Sequence, residues 1–409
     1  MQLIKNKYIM AVLTMMLIFF GFFFINSAEA AYVSNNLKGR YVYDFENGET
    51  YNSKLIYELN YEKTLNTKNI FGKIIANPLF EYNLENKTED IKLNEAYVDI
   101  YFDNFDLRIG KQKMTWGKSD GLVVTNIVNP RDYNVYPVLE YEDQFQSVNA
   151  IKANFYPNNN TLDIVWIPEF RSAKLNRDVL LKNIPQDFNR DSSEKEVEEK
   201  FENSELFIRY SSLGQKYDYE IMAGYSWDDQ PTLHKDFQRK VVIPQHHRLY
   251  TLGGSISTMK GPMVLRGDAA YISGKHFNLI NPLENLMDYP EGVVEKDEIK
   301  WLLGLDYNYE DYLFSFQFMQ KKILDYGKDL IQDEHQNTIT LLIKRDILRT
   351  RLNTEINFHY NVNEEVLMSK PALSYDYNSS INFKLGANLN LAGDTFRTDV
   401  VYLQTEYLF

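Results

Sequence analysis

The chain has 409 residues, a formal charge of −13 and no cysteine, which excludes disulfides and thiolate metal sites and makes a nucleic-acid partner a poor match. It is polar on average, yet it carries 30 tyrosines and 25 phenylalanines. That combination suits a β-barrel with a lipid face, aromatic girdles and a wet interior.

In chain order, residues 1–30 have the layout of an export signal. Lys5 and Lys7 give a basic start, Ile9 to Ile25 are almost wholly apolar, and Ala28-Glu29-Ala30 offers a small-x-small cleavage site. The apolar run is long enough that an uncleaved anchor helix is the alternative; either way the chain is exported. Cleavage would remove a net charge of +1 and leave −14 on residues 31–409. No later window approaches the ~20 apolar residues of a membrane helix, so any further insertion must use strands.

From residue 37 onwards the dominant period is two. Ile299, Trp301, Leu303, Leu305, Tyr307 and Tyr309 alternate with Lys300, Gly304, Asp306 and Asn308, and Phe314, Phe316 and Phe318 alternate with Ser315 and Gln317. Segments 350–362 and 379–393 repeat the pattern. A soluble sandwich also alternates, but here charges recur at mid-strand and the runs last ten to fourteen residues, beyond the mode of ~5–6 for globular strands. The predicted fold is all-β: one transmembrane, antiparallel, up-and-down barrel over 31–409, with about 18 strands and 16 as the alternative. Tight turns at 103–104, 158–160, 215–216, Gly261, Asp311 and Arg349 alternate with long loops at 118–147, 171–203, 230–246, 275–297 and 325–335. Short periplasmic turns and long outer loops are the barrel pattern.

Segment 105–117 reads as the fifth strand; it carries Arg108-Ile109-Gly110-Lys111-Gln112 and Trp116-Gly117 and leads to Thr125-Asn126-Ile127-Val128-Asn129-Pro130-Arg131-Asp132. This wording resembles the G-[KR]-Q, WG and T-[DN]-x-x-N-P-[RK]-D signature of a large, poorly characterised group of porin-like outer-membrane proteins. The match covers about 25 residues, and Asn126 stands where Asp is expected, so a carboxylate role there is in doubt. The resemblance implies the outer membrane of a diderm bacterium and a pore narrowed by the third outer loop, 118–147. Arg108, Gln112, Trp116, Lys118, Asp120, Asn126, Asn129, Arg131 and Asp132 become the constriction candidates. The residues themselves fit an ordered loop, since Gly110, Gly117 and Gly121 permit unusual φ and Asn129-Pro130-Arg131-Asp132 makes a turn. The plainer alternative is an exposed loop.

Lysines and arginines at 40, 54, 73, 108, 152, 209, 266, 300, 351 and 384 share the hydrated face with a similar number of acids, among them Asp99, Asp163, Glu220, Asp268, Asp306 and Glu355. No one-sided basic ladder stands out, and any one of these charges is expected to pair across strands. Five of the six histidines fall in predicted loops, with only His359 on a strand, and none sits in a nucleophile or metal motif. No enzyme activity, cofactor or metal is expected. The final residues alternate up to Tyr407 and Phe409, an end that resembles the insertion signal read by the barrel-assembly machinery. The expected partners are outer-membrane lipid, that machinery and small hydrophilic solutes, with a homotrimer or a monomer both open. The alternative function is a plugged or scaffolding barrel that binds an envelope polymer or a partner protein through 171–203 and 275–297.

Overall fold

The structure is a computed structural model that describes residues 31–67, 70–119, 121–133, 144–175, 188–189, 194–280, 287–348, 351–393 and 399–409. The expected signal at 1–30 and the candidate Asp120 lie outside the described residues.

Eighteen long strands follow one another among the described residues. They are β1 (Ala31–Asp44), β2 (Lys54–Asn66), β3 (Phe71–Asn83), β4 (Glu89–Tyr101), β5 (Phe105–Gln112), β6 (Val148–Phe155), β7 (Thr161–Ile167), β8 (Glu205–Leu213) and β9 (Asp218–Trp227). The second half comprises β10 (Arg248–Lys260), β11 (Met263–Asn278), β12 (Val293–Tyr309), β13 (Tyr312–Ile323), β14 (His335–Ile347), β15 (Leu352–Asn361), β16 (Val366–Asp376), β17 (Ile381–Ala392) and β18 (Val400–Leu408). Each pairs antiparallel with its neighbours in the chain. The sheet closes where β1 meets β18, in a ladder from Asn36 opposite Leu408 to Asp44 opposite Val400. Closure leaves no edge strand unpaired. The alternative of sixteen strands falls because β1, β2, β16 and β17 each form full ladders.

Burial runs in the opposite sense to a soluble protein. On β10, Leu252 is 59 % exposed while its neighbour Thr251 is 7 % exposed. Apolar side chains face outward and polar ones inward, as a lipid-embedded barrel requires. At the end with short turns the aromatics form a band, with Phe71 on Tyr101, Phe105 on Phe155, and Phe102 stacked on Phe105 at 4.4 Å. The two-residue turns there use Gly261 (φ +59°) and Glu310 (φ +51°), the left-handed conformation that tight hairpins need. Every connection at that end is short, whereas 113–147, 168–204, 228–247, 279–292 and 324–334 emerge from the other. The loop 228–247 contains its own hairpin, Thr232–Asp236 paired with Val241–Gln245.

Three expectations shift. Strand β5 stops at Gln112 rather than running to 117, because the next amides leave the ladder: Lys113 N donates to Glu95 Oε1 at 2.7 Å and Met114 N to Asn129 Oδ1 at 2.7 Å. Strands β11 and β12 extend further than expected, so the loop predicted at 275–297 shrinks to 279–292. The register of β11 slips between Ile272 and Lys275, with Gly274 at φ +89°, which breaks the period-two pattern where the sequence reading stopped. His276 and His335 lie on strand ends and His234 on the loop hairpin, rather than in irregular loops.

Candidate functional site

The inner wall is a lattice of charges paired across strands. Arg108 on β5 lies opposite Asp99 on β4 and binds it through two contacts of 2.7 and 2.9 Å, with its guanidinium 3.9 Å from the Tyr97 ring centre. Arg209 on β8 lies opposite Asp163 on β7 at 2.5 Å and reaches Glu220 on β9 at 3.5 Å. Arg266 pairs with Asp306, and Lys384 with Glu355 at 3.4 Å. The expected pairing of individual inner charges is borne out.

After β5 the chain crosses to strands far from it in the sheet. Gly117 N donates to Glu220 Oε2 at 3.1 Å, and Lys118 Nζ lies 3.5 Å from Oε1 of the same residue. Lys118 N and Ser119 N donate to the two oxygens of Asp268 on β11 at 3.3 and 3.1 Å, and Thr125 Oγ1 lies 3.2 Å from Asp268 Oδ2. Gly117 is needed here, since its φ is +92° and a Cβ would come within 2.2 Å of Thr125 Oγ1. Around this polar track lie two apolar seats. Met114, Trp116 and Val128 pack on inward-facing Val165, Ile167, Phe207 and Met222, while Leu122 and Val124 pack on Ala270, Leu302 and Met319. The inner face is therefore apolar in patches, and segment 114–128 covers those patches.

The remaining candidates hold the segment in shape. Gln112 is fully buried and donates to Ala150 O at 3.0 Å. Trp116 meets Phe207 edge-on at 6.3 Å, with the Arg209 guanidinium 5.1 Å from its ring. Asn126 Oδ1 accepts from Trp116 N at 3.4 Å, and Asn129 accepts from Met114 N and donates to Gln146 O, both at 2.7 Å. Asp132 binds Lys174 at 2.8 Å, which ties this loop to the next one, and Arg131 donates to Gln144.

Between loop 113–147 and strands β9 to β16 lies a cavity of about 550 Å³. Asn126, Asn129, Arg131 and Asp132 line one side of it; Lys275, Lys300, Lys321 and Lys370 project from the wall. Lys300 and Lys321 are direct partners in the β12–β13 register, an arrangement that like charges disfavour. Asp228 holds Lys275 at 2.6 Å and Glu298 lies 3.8 Å from Lys300. Asp229, in the loop after β9, is pushed well above the usual carboxylate range by burial and by nearby Glu205 and Asp228. The sequence reading missed Lys275, Lys321 and Lys370. Lys321 was within reach, being in phase with Ser315 and Gln317, whereas Lys275 is hidden by the register slip.

An eighteen-stranded closed barrel with short turns at one end and a long third loop at the other has known counterparts. Residues 29–176 match a family model described as a protein of unknown function, DUF1302. Among solved structures, OccAB4 of Acinetobacter baumannii superposes with a TM-score of 0.57 at 10% identity, over 93% of this chain and 99% of that one. The fold is that of an outer-membrane porin. The porin barrel of OccK2 (OpdF) from Pseudomonas aeruginosa, solved in complex with glucuronate, gives 0.55 at 11% identity over 93% and 98%. The outer membrane protein opdK of the same organism gives 0.55 at 9% identity over 93% and 99%. No curated protein matches the chain in sequence.

Proposed function

We propose that this chain is an outer-membrane channel of a diderm bacterium that passes small hydrophilic solutes by diffusion, and that loop 113–147 narrows it. The observation that carries this reading is the attachment of Lys118 and Ser119 to Asp268, on a strand remote from β5. A loop held to the inner wall by backbone amides stays in place while solute moves past it. The cavity beside it favours anionic solutes, because Arg131 and Lys321 are left facing it once Lys275 and Lys300 are set against Asp228 and Glu298. The glucuronate bound in the similar OccK2 barrel is a carboxylate of this class. Tyr407 and Phe409, stacked at 5.0 Å on the outer face of the closing strand, are the proposed handle for the barrel-assembly machinery.

Planar-bilayer recording tests the reading. Stable ohmic steps are expected, larger when residues 118–128 are deleted, with a reversal potential in a salt gradient that moves toward cations in Lys321→Glu. A correctly inserted barrel that conducts nothing in either form would overturn it in favour of a plugged or scaffolding barrel.

A further inference from the structure

We propose that His234, His247 and His276 form a proton-operated latch that holds the loop hairpin 232–245 against the rim of the cavity and releases it in acid. The rings come from three separate pieces of chain: the first hairpin strand, the link into β10 and the outer end of β11. His234 Nε2 and His247 Nε2 are 2.7 Å apart, and His247 lies flat on His276 with ring centres 3.5 Å apart and planes 7° from parallel. Ring centres 4.9 Å apart over a nitrogen separation of 2.7 Å mean that His234 and His247 meet end to end. Two bonds of about 2 Å to a tetrahedral metal ion would hold the nitrogens roughly 3.3 Å apart, so a separation of 2.7 Å fits a shared proton rather than a metal.

The tautomers follow from the neighbours. His234 Nδ1 meets Glu291 Oε2 at 2.5 Å and donates there, so its Nε2 accepts from His247 Nε2–H. His276 Nδ1 donates to Gly274 O at 3.0 Å. Other charges near the trio are largely engaged. Asp228 is held by Lys275 at 2.6 Å, and His246 sits between the Asp228 carbonyl and Glu194 at 2.6 Å each, while Glu295 faces His276 across the β11–β12 ladder. Lys235, the other cation on this hairpin strand, is buried, and its amide donates to Glu291 O at 2.9 Å. Glu291 can balance one proton on His234. A second proton, on His247 or His276, sets positive charge against positive charge at stacking distance.

Hydrogen bonds beside the rings also tie the hairpin to β11. Thr232 Oγ1 donates to His276 O at 3.3 Å, and Asn278 on β11 bonds Leu233 through both its N–H and carbonyl sides at 2.6 and 3.3 Å. Thr232 and His276 line the cavity, so release of the hairpin alters its wall. Burial and the adjoining imidazoles push His247 down to about 3 from the ordinary 6.5. A base depressed in the closed form binds more protons when the loop is open. The latch is therefore intact above the ordinary value and weakens as pH falls from there toward the depressed one, by at most about tenfold per pH unit.

The absence of cysteine permits a clean test that does not depend on conduction. A spin label on Gln238→Cys, at the exposed hairpin tip, reports hairpin mobility in the refolded full-length barrel in vesicles. The mobile fraction should stay low from about pH 7.5 to about pH 6.5 and rise steeply from there to about pH 4.5. The rise should vanish in His247→Phe, which keeps a ring in the stack but carries no proton. His247→Tyr serves if that variant does not refold, with heat-modifiable gel mobility as the check on folding. An unchanged spectrum over this range, or the same rise in a refolded ring variant, overturns the latch.

Discussion

Asp268 shows how much of the loop's position hangs on a single side chain. It is buried and receives two backbone amides from loop 113–147, with the Thr125 hydroxyl beside them. Asp268→Ala removes the acceptor of those half-buried donors, at about 1 kcal/mol each, while the barrel ladders remain. The expected outcome is a barrel that keeps its heat-modifiable gel mobility but shows noisier single-channel current; current as quiet as the parent's would contradict the anchoring role. Asn126 gives a different lesson. The position uses an amide oxygen to accept from Trp116 N, a task that either Asn or Asp performs, so its departure from the signature carries no loss of carboxylate chemistry.

At the scale of elements, the strands were legible and the loop's seat was not. Alternation located the strands because inner and outer faces differ in polarity at almost every rung. Strands β6 to β9 break that rule, since Val148, Ala150, Val165, Ile167, Phe207 and Met222 face inward and are apolar. Nothing local explains them; they are apolar because segment 114–128 lies on them. Trp116→Ala removes the largest side chain from this contact and is expected to cost about 3–5 kcal/mol of loop seating. Limited proteolysis should then cut within 113–133 while the strands resist; an uncut loop would show that the polar anchors suffice. The register slip at Ile272 to Lys275 similarly hid Lys275 and His276, since a single extra residue inverts which face each later side chain takes.

For the whole molecule, closure and the lipid belt set stability. Leu252, 59 % exposed on the outer face, sits on a rung between Ala223 and Tyr271. Leu252→Arg would place a charge in hydrocarbon and is expected to destabilise the barrel by about 2–4 kcal/mol, read from urea unfolding in lipid vesicles. The same charge added at exposed Gln238 in the loop hairpin should change little. A similar loss at both positions would argue against a lipid belt at Leu252.

Periodicity and turn spacing alone determined that this is an up-and-down barrel, how its eighteen strands run and which end carries the long loops, because these depend on contacts between neighbours in sequence. Only the tertiary structure decided what fills the interior. Glu220 and Asp268 holding Gly117 to Ser119, the opposed Lys300 and Lys321, and the meeting of His234, His247 and His276 all join residues whose strands or loops are separated along the chain. A barrel brings such residues together only when its last strand meets its first, and no local pattern records which side chains will then share the space inside.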